Sequence, residues 1–302
     1  MKKEAFECEN QVKELLNKVF NTSDYSKIER MGGLTNRTYR VTLNGQDYVV
    51  RIPGEGTEEL INRNDEMVST RLACKLGVDA EMLYFGSDGS KVTRYIENAV
   101  TMSSETLKKE ENIKRMAEIF KKVHSCGENT GVAFEVFEMA EGYEKIIKDK
   151  SVPMYDDYAE IKRTVMAVKA ETDKAINAEK VPCHNDPLCE NWVLGNGRMY
   201  LIDWEYAGMN DGMWDLADVS IEAGFDSECD NTLLTSYLGK APDLKDKKHF
   251  LASKIYVDYL WTLWAKTRVP YDGEPMENWA SERYSRLKNF ISEYKGIQGG
   301  NN

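Results

Sequence analysis

Apolar and polar positions alternate with two different periods along this chain, and the change of period divides it. Val12, Leu15, Leu16 and Val19 recur at helical spacing and predict a helix over Gln11–Phe20 with one buried face. From there to about residue 97 the apolar runs are short and punctuated. Ile28–Met31, Tyr39–Leu43, Asp47–Ile52, Ala80–Phe85 and Lys91–Ile96 read as strands, and Asn44-Gly45 is a two-residue hairpin signal. One helix, Thr57–Leu76, interrupts them. Beyond Ser103 the helical period dominates. It predicts helices over Thr106–Cys126, Phe137–Asp149, Tyr155–Asn177, from Gly212 onward, Cys229–Leu238, Leu244–Thr267 and Met276–Tyr294. The charge run Lys108–Lys114 reads as a solvated helix face. A single stretch, Val181–Tyr206, returns to strand period, with Trp192–Leu194 and Met199–Ile202 flanking a Gly-Asn-Gly turn. The expected fold class is therefore α+β. A small lobe with an antiparallel sheet of about five strands covers residues 1–97, and a larger, mainly helical lobe covers 98–302.

Composition narrows the partners. At 302 residues the chain is long enough for two cores, and 41% hydrophobic residues make it globular. A formal net charge of -11 disfavours nucleic acid and anionic membranes. The apolar runs are far short of a membrane span. The first residues, MKKEAFECEN, place acids where a signal peptide needs an apolar core, so a cytoplasmic protein is expected. Six cysteines without a C-x-x-C pair, and three histidines, suggest neither a zinc site nor a disulfide framework.

The chemistry concentrates in Val181–Tyr206. His184-Asn185-Asp186 is followed by Asn191 five residues after the aspartate, then by the hairpin, then by Asp203 behind Tyr200-Leu201-Ile202. Asp186 precedes a proline, which keeps it out of a helix and on a loop. The hairpin brings Asn191 and Asp203 together at its open end, as a strand-borne pair of oxygen donors suited to Mg²⁺. Phosphoryl transfer from a nucleotide requires such a set: one carboxylate for the proton of the attacking hydroxyl, and an amide and a second carboxylate for the metal. An ordinary hairpin with polar ends is the plain alternative.

The small lobe offers groups for the nucleotide. Gly32-Gly33 leaves room for phosphate, and Thr35 and Asn36 can donate hydrogen bonds to it. Arg51 is the one cation in Tyr48–Ile52, placed to hold phosphates and to pair with a helix glutamate. Glu66 is the first choice of partner, with Glu58 and Glu59 as alternates. Arg94-Tyr95-Ile96-Glu97 sits where a hinge would fall. In the helical lobe, Asp215 is expected to brace the catalytic loop by hydrogen bonds. Trp261 and Trp264 lie three apart on one helix and Trp279 on the next. Core packing is the usual role of such residues. With Glu222 nearby, they also describe a cage for a quaternary ammonium, which binds aromatic faces because it cannot donate hydrogen bonds.

With these motifs, GGLTN at Gly32–Asn36, CHNDPLCEN at Cys183–Asn191, and IDWEYAG with the following D-L-A-D at Ile202–Asp218, the chain resembles the bacterial choline kinases. These belong to the choline/ethanolamine kinase branch of the aminoglycoside-phosphotransferase-like superfamily, and the resemblance runs from about Ile28 to Phe290. It implies a bilobal protein-kinase-like fold and ATP- and Mg²⁺-dependent phosphorylation of choline. It implies that Asp186 is the base, that Asn191 and Asp203 hold Mg²⁺, and that Arg51 stands where protein kinases carry lysine. It puts Tyr95 and Ile96 at the adenine hinge, and Glu222, Trp261, Trp264 and Trp279 at the choline pocket. Phe225 is the nearest candidate for a further pocket aromatic. Ethanolamine, thiamine or an aminoglycoside is the alternative acceptor, and a non-catalytic kinase-like binding protein is the alternative of another class.

Overall fold

The computed structural model describes residues 2–22, 24–31, 36–54 and 61–299. They form two compact units, Met1–Met102 with Glu190–Ala207, and Ser103–Cys189 with Gly208–Asn302. The first unit opens with helix α1 (Lys2–Phe20) and strands β1 (Lys27–Arg30), β2 (Asn36–Leu43) and β3 (Gln46–Pro53). Helix α2 (Arg63–Leu76), strands β4 (Met82–Phe85) and β5 (Lys91–Arg94), and the short β6 (Val100–Thr101) follow. The five-stranded sheet runs β1-β2-β3-β5-β4, with every neighbouring pair antiparallel. Its buried face carries Val41, Leu43, Val50 and Val92, and Val12 and Leu16 of α1 close over them. Period-2 burial on the strands and 3.6-period burial on the helix meet in one core. Helix α2 starts at Arg63 because the Asn62 side chain caps it, accepting from the N–H groups of Asn64 and Asp65. The expected start at Thr57 falls outside the described residues.

The second unit holds α3 (Ser104–Leu107), α4 (Glu110–His124), α5 (Val136–Asp149), α6 (Tyr158–Ala175) and β7 (Lys180–Cys183). The chain then enters the first unit for β8 (Trp192–Gly195) and β9 (Arg198–Leu201). It returns for β10 (Gly208–Asp211), α7 (Met213–Glu222), α8 (Ser227–Leu238), α9 (Leu244–Asp272) and α10 (Glu274–Gly299). Helix α9 is buried on nearly every side, including Phe250, Ile255, Leu260 and Leu263, and α10, α7, α5 and α6 pack on it.

Three features differ from the sequence expectation. The helix expected over Thr106–Cys126 is two helices. A capping box at Ser103 and Thr106 makes a four-residue turn, and Asn112 Nδ2 donates back to the Thr106 carbonyl at 2.8 Å, which ends it. Strands β7 and β10 pair antiparallel, Cys183 opposite Gly208, although four residues containing Pro182 gave no strand signal. The hairpin is as expected but gains β6 as a third strand, Val100 opposite Leu194. Among the described residues no helix is long and apolar enough to cross a membrane.

Candidate active site

In the second unit, the loop after β7 is tied down by one buried carboxylate. Asp215, at the start of α7, accepts from the backbone N–H of His184 at 2.8 Å and of Asn185 at 2.7 Å. His124 Nε2 donates to the same carboxylate at 3.0 Å, since a carboxylate can only accept. In the neutral ring Nδ1 then accepts from the Tyr237 hydroxyl, 2.9 Å away. Asn185 has a φ of 67°, in the left-handed region that asparagine tolerates. Its carbonyl accepts from Trp214 Nε1 at 3.0 Å, and its Oδ1 from Asn210 Nδ2 at 2.9 Å. Asp186 follows on this fixed backbone, half-buried, and its own carbonyl accepts from Leu188 N–H at 2.8 Å. Asp215 thus braces the loop as expected. Trp214 and Asn210 are supports that the spacing of the motif did not single out.

In the first unit, Trp192 faces Leu201 as the last ladder pair of β8 and β9, and one step further Ile202 N–H donates to the Asn191 carbonyl at 2.9 Å. The structure thereby brings Asn191 and Asp203 to the same open end of the hairpin. Asp203 is not on the strand, as the sequence had suggested. Strand β9 ends at Leu201, and Asp203 sits two residues on with a φ of 68°. That left-handed turn takes its carboxylate out of the alternation of the sheet and leaves it about a third exposed. An asparagine amide and an aspartate carboxylate, with the Glu205 carboxylate two residues on, make an all-oxygen donor set. That set fits Mg²⁺ rather than a softer ion.

Arg51 connects this end to the sheet. It is buried on β3, with Nη2 2.5 Å from Glu66 Oε1 and 2.9 Å from the Gly89 carbonyl, and Nη1 3.4 Å from Asp203 Oδ1. Burial works against its charge, but Glu66, Asp203 and Glu205 outweigh it and hold the guanidinium firmly protonated. The other Glu66 oxygen takes Arg63 at 2.7 Å, and Arg63 reaches Glu205 at 3.5 Å. Burial, together with the Asp203 charge, pushes the Glu205 carboxyl up to about 7. Asn36 Nδ2 donates to Glu205 at 3.3 Å. Arg63 and Glu205 were not foreseen: Arg63 pairs with Glu66 only three residues on, but its contact with Glu205, and that of Asn36, join parts of the chain far apart in sequence. Gly33, Thr35, and the alternates Glu58 and Glu59, lie outside the described residues.

Tyr95 and Ile96 follow β5 directly. Tyr95 N–H donates to the Asp47 carbonyl at 3.1 Å, and the Arg40 guanidinium lies 4.2 Å from its ring centre. Ile96 packs so closely on Gly195 that a Cβ there would come within 2.3 Å of its Cγ2 and 2.9 Å of the Glu97 carbonyl.

The tryptophans form a connected set in the second unit. Trp261 and Trp264 have ring centres 6.2 Å apart and planes at 90°, and Trp264 and Trp279 6.0 Å and 74°. Perpendicular rings make corners, not parallel plates. Trp214 extends the set from Trp261 at 6.5 Å. Phe225 follows the end of α7, half-buried, and the ring contacts run through Trp214 instead. Glu222 forms an ion pair with buried Arg283, whose guanidinium also lies 4.0 Å from the centre of Trp279. Arg283 reaches Asp258 at 3.1 Å, and Arg286 reaches the same carboxylate at 2.6 Å.

One unit with a small antiparallel sheet and a buried arginine–glutamate pair, and a second, largely helical unit that carries an H-x-D loop, are the parts of the protein-kinase-like phosphotransferases. Residues 28–295 match the family model described as choline/ethanolamine kinase, and the chain belongs to that family. A solved structure of a choline/ethanolamine kinase family protein from Mesorhizobium loti is 33% identical, covers 95% of this chain and 98% of its own, and superposes with a TM-score of 0.84. The choline kinase LicA from Streptococcus pneumoniae is 31% identical, with 95% and 100% covered and a TM-score of 0.82. Protein LicA of Haemophilus influenzae is 28% identical over 269 residues, 86% of this chain and 99% of its own.

Proposed function

We propose that this enzyme transfers the γ-phosphoryl group of ATP to the hydroxyl of choline. The observation that carries the choice of acceptor is the perpendicular set Trp261, Trp264 and Trp279, in the same unit as Asp186. Aromatic faces suit a cation that has no N–H to donate. Ethanolamine's compact, strongly hydrated ammonium would want acceptors that an indole face does not supply. An aminoglycoside, a polycation, would want several free carboxylates. A cytoplasmic location goes with ATP as the donor.

In this reading residues 1–97 are the nucleotide lobe and 98–302 the catalytic and acceptor lobe, with Asn191 and Asp203 contributed by the hairpin. Asp186 accepts the proton of the choline hydroxyl as its oxygen attacks the γ-phosphorus and the bond to the ADP oxygen breaks. The loop that Asp215 fixes keeps that carboxylate in place. Arg51, held by Glu66, keeps its planar fork toward the phosphates, and Tyr95 and Ile96 flank the adenine. Asn191 and Asp203 would hold Mg²⁺, which when bound offsets phosphate charge. Gly33, Thr35 and Asn36 belong to the phosphate loop.

The test is coupled ADP release with choline, ethanolamine, thiamine and kanamycin side by side. Choline should give the highest kcat/KM, and turnover of another acceptor at a higher value sinks the assignment. Asp203→Ala should abolish Mg²⁺-dependent turnover while choline still binds. A folded variant that has lost choline binding as well would mean that Asp203 is structural.

A further inference from the structure

Strands β3 and β5 set two cations side by side. Arg51 and Lys91 are directly opposite in the ladder. Val50 and Val92, the next pair, turn to the α1 side, so both cations lie on the other face of the sheet. Like charges directly opposite one another destabilise a sheet. Lys91 is also nearly covered, at 8% exposed, where an apolar side chain would cost less to bury. Its ammonium donates no hydrogen bond among the described residues, and Glu66 Oε1, 3.8 Å away, is the acid within ion-pair reach. Glu66 therefore faces three cations: Arg51 at 2.5 Å, Arg63 at 2.7 Å and Lys91. One carboxylate cannot neutralise three. Asp203 and Glu205 stand against Arg51 and Arg63 at 3.4 and 3.5 Å, and no acid stands that close to Lys91.

We infer that Lys91 is a positioning residue for the nucleotide phosphates, acting through Glu66: by sharing that carboxylate it keeps the charge of Arg51 from being cancelled inside the protein. The inference rests on the reading of this unit as the nucleotide lobe and deepens it. Arg51 is anchored by Glu66 and by the Gly89 carbonyl, so its fork cannot swing freely toward a ligand. What it offers an anion depends on how much of its charge is left uncancelled. A second cation one strand away, about 4.8 Å across the sheet, adds its field to the same face and weakens the hold of Glu66 on Arg51. A plainer role is also open to Lys91. Burial pushes the Asp79 carboxyl up, and the Lys91 charge opposes it, although the two stay beyond ion-pair distance. The two roles predict different variants.

The experiment compares the KM for ATP with the inhibition constant of adenosine, which has the same base and sugar and no phosphate. Lys91→Met keeps most of the stem and removes the charge. The ATP KM should rise about 5- to 50-fold, the scale of removing one unit charge roughly 7–10 Å from another at an effective dielectric of about 20–40. The adenosine constant and the choline KM should stay within about twofold. Lys91→Arg keeps the charge and should hold the ATP KM within about threefold of wild type. Lys91→Gln serves if the methionine variant does not fold. Lys91→Met with Asp79→Asn should keep the raised ATP KM. A double variant that returns to the wild-type ATP KM assigns Lys91 to Asp79 and overturns this inference. An ATP KM unmoved by Lys91→Met, or ATP and adenosine constants that rise together, overturns it too. A wild-type enzyme for which ATP is not the phosphoryl donor overturns the function reading as well.

Discussion

Replacing Asp215 by asparagine tests how the catalytic loop is held. The carboxylate accepts three hydrogen bonds: Oδ2 takes His184 N–H and His124 Nε2, and Oδ1 takes Asn185 N–H. An amide keeps only one acceptor. The oxygen should stay where two donors converge, which turns the NH₂ toward Asn185 N–H, donor against donor. The loss therefore falls on the residue immediately before Asp186, already in a left-handed conformation. A hydrogen bond to a charged acceptor contributes about 1.5–3 kcal/mol, so the melting temperature should drop by roughly 3–12 °C. A loosened Asn185 lets Asp186 drift, and a displacement of about 1 Å can cost about 100-fold in rate. We expect kcat to fall between about 10- and 100-fold, with the ATP KM nearly unchanged because the groups proposed to hold the nucleotide lie in the other unit. Steady-state kinetics and thermal melts on the same preparation decide it. A variant with lowered melting temperature but wild-type kcat would show that the loop is held without Asp215, and would refute the reasoning.

Asp186→Asn should fold normally and lose roughly 10²–10⁴-fold in kcat, since an amide cannot take the hydroxyl proton; more than a tenth of wild-type rate would exclude it as the base. Asp79 is buried, and burial pushes its carboxyl from 3.8 to about 6. The native state thus keeps this proton longer than the unfolded chain. Its contribution to stability is full below about pH 4 and lost as pH rises through about 6, by roughly 3 kcal/mol at about 1.4 kcal/mol per unit. Asp79→Asn should flatten that slope in denaturant titrations from pH 4 to 7, and an unchanged slope assigns it to other groups. Gly195→Ala should push Ile96 and Glu97 aside and raise the ATP KM more than the choline KM; equal effects on both would mean general destabilisation.

What was legible in the sequence was local. The order of strands and helices, the hairpin and the H-x-D-x4-N spacing are set by neighbours within a few residues, where period and turn chemistry act. Errors came where a single side chain, a left-handed turn or a returning strand decides, none of which has a period. The break near Lys108 depends on Asn112 turning back to a carbonyl, and β7 exists because β10 returns beside it. Asp203 leaves its strand because the chain turns left-handed there, which no alternation reveals. The indole contacts of Trp214 join parts of the chain that no window spans.

Charge is the sharpest case, because a residue's type does not say whether its charge is available. Arg51 and Arg283 are both buried arginines paired with a glutamate on a helix. For Arg51 the pairing is 15 positions away, on the helix that follows its own strand, so that a known scheme could anticipate Glu66. For Arg283 the partner is 61 positions away, and the sequence alone left Glu222 looking like a free anion beside three tryptophans. A paired glutamate adds no net charge to a pocket, and removing it alone would strand the arginine, which costs more than the pair is worth. A loss of choline turnover in Glu222→Gln alone would therefore not make Glu222 a ligand. The same loss would follow if an unpaired Arg283 repelled the substrate. Only the paired replacement, Glu222→Gln with Arg283→Gln, separates the two: choline turnover kept within about fivefold of wild type assigns the loss to the stranded arginine, and turnover lost again makes Glu222 the ligand.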